Sequence, residues 1–359
     1  MSASSATKSV ERLHGRHEEW RVSRSDYPEA APLADRLRYL IRYAVLSPSH
    51  LNTQPWLFHI DATADGRIDI LADRRRRCRV ADPNDRELTI SCGCALYALR
   101  VALRRFGMCD CVCLLPDASN RDLLASIHIN GGCKPTDEDV MLFKAIPQRR
   151  TSRHPFSHDP IPDGMIAKWD RDASAESACL VAIADSQTRH AIADLMAEGD
   201  RIHMHDDKYR HELAYWTRNN TDARRDGLPS YALNHFHGMW EFLSRFEPAI
   251  IRNFDMGKSF AAQARQLALD SPLLGVLCTR HDEPVDWLHA GQAVMRIALR
   301  AQSSGVWTGF LNQPVEIPSL REQLRKTLGH GGYPQMVIRM GHGPAVEPTP
   351  RRPIEEVLV

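Results

Sequence analysis

Four short polar side chains, Ser49, His50, Asn52 and Gln54, fall within the stretch Ser47-Pro-Ser-His-Leu-Asn-Thr-Gln-Pro-Trp56. Donors and acceptors crowded between prolines suit a loop that holds a flat, hydrogen-bonding ligand. The same residues could also satisfy one another as a tight Asx or Ser/Thr turn. A second cluster, Arg149-Arg-Thr-Ser-Arg153, sets three guanidinium groups around two hydroxyls. That is a forked donor set suited to a phosphate, although arginines at a helix start are also common on solvated faces. Two other patterns invite a metal reading. Cys109, Cys111 and Cys113 alternate along one strand face, but structural zinc asks for paired knuckles that are missing, so they read as ordinary thiols. His203, Asp207 and His211 fall at i, i+4 and i+8 of a helical pattern, and with no further ligand in view they read as a polar face. The expectation is therefore no metal.

The elements that must position these groups follow from periodicity. Leu33, Leu37, Leu40, Ile41, Ala44 and Val45 predict a helix that Pro48 stops. Trp56 to Ile60 and Arg67 to Leu71 predict a hairpin around Ala64-Asp65-Gly66. The run Asp73-Arg-Arg-Arg-Arg77 reads as a solvated edge rather than a phosphate patch. A long helix from about Glu87 to Phe106 ends at Gly107, and it lines up without gaps on a distant one. Ser91 to Gly107 matches His289 to Gly305, with Gly93 on Gly291, Ala95 on Ala293 and Gly107 on Gly305. Such spacing is far longer than a solenoid repeat and points to two copies of one unit. Strands are predicted at 179 to 184, Ser271 to Thr279 and Pro334 to Met340. From Arg189 to about Leu269 runs a mainly helical stretch without a counterpart in the first half. It carries Trp216, Tyr231, Phe236, Trp240 and Phe242, and a hinge-like turn at Asp226-Gly-Leu-Pro229.

Composition bounds the rest. The 359 residues carry a formal net charge of +1, with 25% charged and 43% hydrophobic positions. That balance is ordinary for a globular protein and gives no reason to expect a nucleic-acid or membrane partner. No apolar run approaches a membrane span, and nine cysteines without a framework fit a reducing cytoplasm. Rossmann, phosphate-loop, zincin and G-x-S-x-G motifs are missing.

The stretch Pro48 to Trp56 resembles the P-S-x-x-N-x-Q-P-W signature of the nitroreductase-like FMN proteins. Arg149-Arg-Thr-Ser-Arg153 resembles their R-x-[ST]-x-R opening, and Pro348-Thr-Pro-Arg-Arg-Pro-Ile-Glu-Glu-Val357 is similar to their closing P-R-x-P-[LI]-E-E motif. The resemblance runs from about residue 33 to the C-terminus and is nearest to the Acg-like branch. It implies an α+β fold in which two nitroreductase-like α/β halves are fused in one chain as an intramolecular pseudo-dimer. The arm would be 1–30, the first half 31–145, and the second half 146–359, with the insert at about 189–269 as a lid. In ordinary members two identical subunits build two flavin sites. Here the arginine motif sits in one half and the Ser/Asn loop in the other, so one site per chain and a monomer are expected.

By that match Arg149, Thr151, Arg153 and Arg351, with Arg352 as a further candidate, would hold the FMN phosphate. Pro48, Ser49, His50, Asn52 and Gln54 would touch the flavin from the loop, and His50 departs from the small hydroxyl residue usual there. Gly309 and Phe310 fall where the family runs backbone past the ring edge. The implied activity is ping-pong hydride transfer from NADH or NADPH through FMN to a nitroaromatic or quinone, with no side-chain catalyst. A sealed lid would instead make the protein a store for flavin.

Overall fold

The computed structural model describes residues 17–62, 66–233, 246–329 and 331–359. The apolar stripe beginning at Leu33 closes into helix α1 (Leu33–Ala44), which buries Leu37, Leu40, Ile41 and Ala44. Strands β1 (Trp56–Asp61) and β2 (Arg67–Ala72) pair antiparallel from Trp56↔Ala72 to Asp61↔Arg67, so the expected hairpin forms. Of its turn, Ala64 and Asp65 lie outside the described residues. The arginine run that follows is tethered rather than solvated. Arg74 pairs with Asp85 and Asp122, Arg76 pairs with Asp226, and Arg75 alone stands 78% exposed.

Helix α2 (Arg86–Arg105) is buried over most of its length and leads into β3 (Met108–Leu114) and β4 (Leu123–Gly132). Helix α3 (Asp137–Ala145) is fixed by a capping box in which Thr136 and Asp139 exchange hydrogen bonds. The pattern then restarts with α4 (Asp163–Ala175) and β5 (Ala178–Ala182). Here the insert intervenes, with helices α5 (Ser186–His205) and α6 (Asp207–Trp216). Short parallel strands β6 (Thr217–Arg218) and β7 (Leu228–Pro229) follow, then α7 (Glu247–Asn253) and α8 (Gly257–Asp270). Strand β8 (Leu273–Thr279), buried throughout, resumes the second sheet. The rest comprises α9 (Pro284–Ser303), β9 (Trp307–Phe310), the single turn α10 (Gln313–Glu316), α11 (Pro318–Leu328) and β10 (Tyr333–Gly341).

The two sheets repeat one topology. The first runs β1-β2-β4-β3 and the second β5-β8-β10-β9, antiparallel at every joint. In chain order each is helix, strand, strand, long helix, strand, strand. The insert lies between the first two strands of the second copy, where the first copy has only a hairpin turn. The aligned helices α2 and α9 pack on each other at their matched glycines. A Cβ on Gly93 would lie 2.5 Å from the Leu288 carbonyl oxygen, and one on Gly291 would lie 2.1 Å from that of Ile90. Only glycine permits so close a crossing. One apolar core runs through both copies, joining Leu37, Trp56 and Leu96 to Val294, Ile297 and Ile338.

Two arms of the second copy complete the arrangement. The C-terminal segment reaches β1, where the Phe58 N–H donates to the Val357 carbonyl at 2.7 Å, and the Ser152 N–H donates to the Thr308 carbonyl of β9 at 2.8 Å. The first of these contacts carries Arg351 to the loop after α1, and the second fixes Thr151 at the edge of the second sheet.

Two expectations for the insert change. The His203, Asp207 and His211 face is broken because Asp206 is extended and separates α5 from α6. His203 is buried and stacks on Tyr209, while the side chain of His211 is 54% exposed. The turn at Asp226 is no hinge. Its Gly227 N–H donates to the Asn52 carbonyl at 3.1 Å, and Asp226 is paired to both Arg76 and Arg218. Among the aromatic residues, Trp216 packs with Cys78 and Ala81, and the Tyr231 hydroxyl donates to the Pro348 carbonyl. Phe236, Trp240 and Phe242 lie outside the described residues.

Candidate functional site

Pro48 ends α1, and the loop that follows takes a strained path. Leu51, Asn52 and Gln54 have φ of 44°, 55° and 52°, left-handed values that cost L-residues about 1–2 kcal/mol each. The strain is held by hydrogen bonds on every side. The Gln54 N–H donates to the Ser49 hydroxyl at 2.9 Å and the His50 N–H to the Ser91 hydroxyl at 3.2 Å. Asn52 donates through Nδ2 to the Gly227 and Pro350 carbonyls, and its Oδ1 accepts from Arg351 Nη1 at 2.8 Å.

Above this loop lie two adjoining cavities. The central one has a volume of about 220 Å³, and a cationic side pocket has about 40 Å³. Pro48, Ser49, Thr151 and Arg153 line both. Asn52, Arg149, Arg150 and Arg351 line the side pocket, while His50 and Phe310 line the central cavity. The arginine motif of the second copy and the polar loop of the first therefore meet at one cleft. Three expected residues stand outside both linings. Gln54 and Arg352 serve each other, the Arg352 N–H donating to Gln54 Oε1 at 2.7 Å and its guanidinium to the Gln54 carbonyl at 3.0 Å. Gly309 is glycine because a Cβ would lie 2.4 Å from the Ser152 carbonyl oxygen and 2.8 Å from Arg339 Nε.

The side pocket concentrates positive charge, with four arginines and one acid, Glu347, in its lining. Arg149 donates to the Leu46 carbonyl at 2.8 Å and Arg351 to the same oxygen at 3.3 Å, and the Nε of each is buried without a partner. Among the described residues no carboxylate pairs with Arg149, Arg150 or Arg351. Burial pushes the Arg149 and Arg153 guanidinium groups down to about 10, and burial with the Arg149 charge brings Arg150 to about 9. Burial, then the charges of Arg149 and Arg150, lower Arg351 well below its usual value. The Arg150 and Arg351 guanidinium groups lie 3.8 and 4.7 Å from the Trp20 ring centroid. Buried cations left this way are costly, and an anion in the pocket would relieve them.

The far wall of the central cavity holds acids that the sequence did not single out. Glu87, Asp200 and Glu316 line it with His50. His50 Nδ1 is ion-paired to Glu87, and donor atoms of His50, Glu87 and Glu316 lie within 4.8 Å of one another. Burial alone would lower His50, but the Glu87 carboxylate raises it well above 6.5. Burial alone would raise Glu87, but His50 and Arg86 hold it down at about 2. Glu316 is pushed up to about 8 by burial and by the Glu87 charge, and Asp200 to about 7 by burial. Near neutral pH the wall is an ion pair beside a mostly protonated Glu316 and an Asp200 near its midpoint.

These shifts set a pH dependence of stability. Glu316 and Asp200 hold their protons more tightly when folded, so each withdraws stability as pH rises from 4.5 and 3.8 toward about 8 and about 7. His50 contributes fully below 6.5 and loses its contribution as pH passes its raised folded value. Glu87 contributes fully above 4.5 and weakens only toward about 2. The melting temperature is expected to fall from roughly pH 5 to roughly pH 8, and less steeply in Glu316→Gln. An equally steep fall in the variant, measured by calorimetry across that range, would contradict the assignment.

Among the described residues no helix is long and apolar enough to cross a membrane. No protein-family profile matches the sequence. A Mycobacterium tuberculosis protein provisionally named NAD(P)H nitroreductase Rv3131 is 31% identical over 339 residues, which is 91% of this chain and 92% of that one. The Mycobacterium tuberculosis protein provisionally named NAD(P)H nitroreductase acg is 25% identical over 335 residues, 92% of this chain and 97% of that one. Among solved structures, the FMN- and NADPH-dependent nitroreductase NfnB from sphigopyxis sp. strain HMH has a TM-score of 0.40 and 18% identity, covering 60% of this chain and 96% of that one. That last likeness is too loose to carry an inference. The near-full-length match to Rv3131 is not, and it places this chain in the family of nitroreductase-like proteins.

Proposed function

We propose that the chain binds one FMN across its two halves and uses it as an NAD(P)H-dependent oxidoreductase. The observation that supports this most is the meeting of Arg149 and Arg351 at the Leu46 carbonyl, beside Asn52, with two buried Nε donors unused. A phosphate monoester fits that donor set. Arg149, Arg351 and Asn52 would hold it, with Arg150 and Arg153 adding charge. Bound there, the flavin would supply hydride chemistry between NADH or NADPH and an electron-poor acceptor such as a nitroaromatic or quinone.

The protein's own part is orientation and exclusion of water. Ile90, Val294 and Met336 give the central cavity an apolar floor for a flat ring. His50 replaces a small hydroxyl with a cation, set between the Glu87 carboxylate and the Cys78 thiol. Paired to Glu87, it would keep a positive charge beside a bound ring and favour negative charge there.

A second reading draws on the insert. Asp200, Tyr209, Leu213, Leu228, Leu233 and Phe260 all belong to it and line the central cavity. Such a wall could cover the ring and turn the protein into a flavin store. Anaerobic mixing with NADH or NADPH separates the two. Rapid bleaching of the flavin and its return on adding a quinone are expected, whereas flavin that stays yellow for minutes would support storage.

A further inference from the structure

We propose that Glu316 carries protons from a second, solvent-facing cleft into the central cavity, where an acceptor that has taken up a hydride equivalent needs one. The proposal rests on the redox reading of the cavity. Glu316 closes the single turn α10, between β9 and α11. It lines the central cavity, and it also lines a cleft of about 310 Å³ that contains Asp82, Arg86, Asp282, Trp287 and Arg321. Among the described residues it is the one common to both linings, so a single residue, with its side chain 7% exposed, separates them at this point.

The geometry leaves this carboxyl free to hold and pass a proton. Its two oxygens lie 3.8 Å from His50 Nδ1 and 3.6 Å from His203 Nδ1, and neither distance is a hydrogen bond. Glu87, the acid next to it, is already occupied by His50 and by Asn312 Nδ2 at 3.0 Å. The charged and titratable groups facing Glu316 are Glu87 and Arg86 from α2, His50 from the loop, Asp200 and His203 from α5, and Tyr209 from α6. Asp82, Asp282 and Arg321 stand on the cleft side. Burial and the Glu87 charge keep the carboxyl protonated near neutral pH. The route also bypasses the insert, so the cavity need not open to water for each proton.

The step balances without another reagent. A quinone that has gained a hydride equivalent, drawn originally from NAD(P)H, is a hydroquinone anion. The Glu316 O–H bond breaks, the proton bonds to the phenolate oxygen, and the carboxylate takes a proton back from water in the cleft. The sum is NAD(P)H plus quinone plus one proton, giving NAD(P)⁺ plus hydroquinone.

Glu316→Gln tests this in the flavin-loaded chain by stopped flow. Reoxidation of the reduced protein by a quinone should slow on the order of 100-fold relative to its reduction by NAD(P)H, and the dependence of reoxidation on pH between roughly 6 and 9 should flatten. Glu316→Asp should restore part of both. Infrared difference spectra of the flavin-free wild type should show two protonated-carboxyl bands, one from Asp200 titrating at about 7 and one at about 8 that is missing from Glu316→Gln. An unchanged ratio of the two rates would overturn the proposal, and so would a variant spectrum that keeps both bands. A wild-type chain that takes up no FMN would instead overturn the underlying reading, and the infrared result would still decide whether Glu316 exchanges a proton.

Discussion

Replacing Arg149 by Met is expected to lower FMN affinity on the order of 100-fold or more while leaving the flavin-free chain at least as stable as the wild type. Removing one partner of a buried charge pair costs about 2–5 kcal/mol, and 100-fold is about 2.7 kcal/mol. The opposite sign in the flavin-free chain follows from what Arg149 lacks. It is 2% exposed, its Nε has no partner, and its one strong acceptor, the Leu46 carbonyl, also receives Arg351. Methionine of similar length removes a desolvated cation and keeps the packing, a kind of exchange that is often neutral or stabilising. Flavin titration and thermal melting of the same sample read both quantities. A fall in melting temperature with unchanged flavin affinity would make Arg149 a structural residue and detach it from the site.

The second large effect lies at the helix crossing. Gly291→Ala is expected to destabilise the chain by more than about 3 kcal/mol, at or beyond the upper end for overpacking a core. The added Cβ would meet the Ile90 carbonyl oxygen at 2.1 Å and the Gly93 Cα at 2.8 Å, both backbone atoms of a helix that cannot yield locally. Gly305→Ala is the control. It has nothing within 4 Å and a φ of +72°, so only the left-handed penalty of about 1 kcal/mol applies. Urea denaturation compares the two. Equal effects would mean that α2 and α9 are not locked at this point.

Much of this organisation is legible in the sequence because it is carried by short-range signals. Gly93 and Gly291 can be aligned by eye, and the backbone contact between them explains why both copies keep glycine there. The loop from Pro48 is announced by its prolines, and the arginine motif by its own density. What the sequence conceals is set by long-range packing. Glu316 lies just beyond the stretch Val306 to Pro314, and nothing about a lone glutamate after Gln-Pro-Val marks it as facing Glu87, 229 positions earlier. Glu87 itself reads as a helix-start acid, and only burial beside His50 makes it an ion pair. His50 was the one local signal, since it breaks the motif, and the structure supplies its partner. The insert misled for a related reason. Helical spacing of His203, Asp207 and His211 assumes one continuous helix, and Asp206 interrupts it by capping the next, accepting from the Lys208 N–H at 2.8 Å.

The central claim is that two copies of one fold build a single flavin site between them, cations from the later copy and polar loop from the earlier. Native mass spectrometry of the flavin-free chain titrated with FMN tests it most directly. One FMN per 359-residue chain is predicted, falling to none at the same ligand concentration in either Asn52→Ala or Arg149→Met. Two FMN per chain, or one that survives both substitutions, would contradict it.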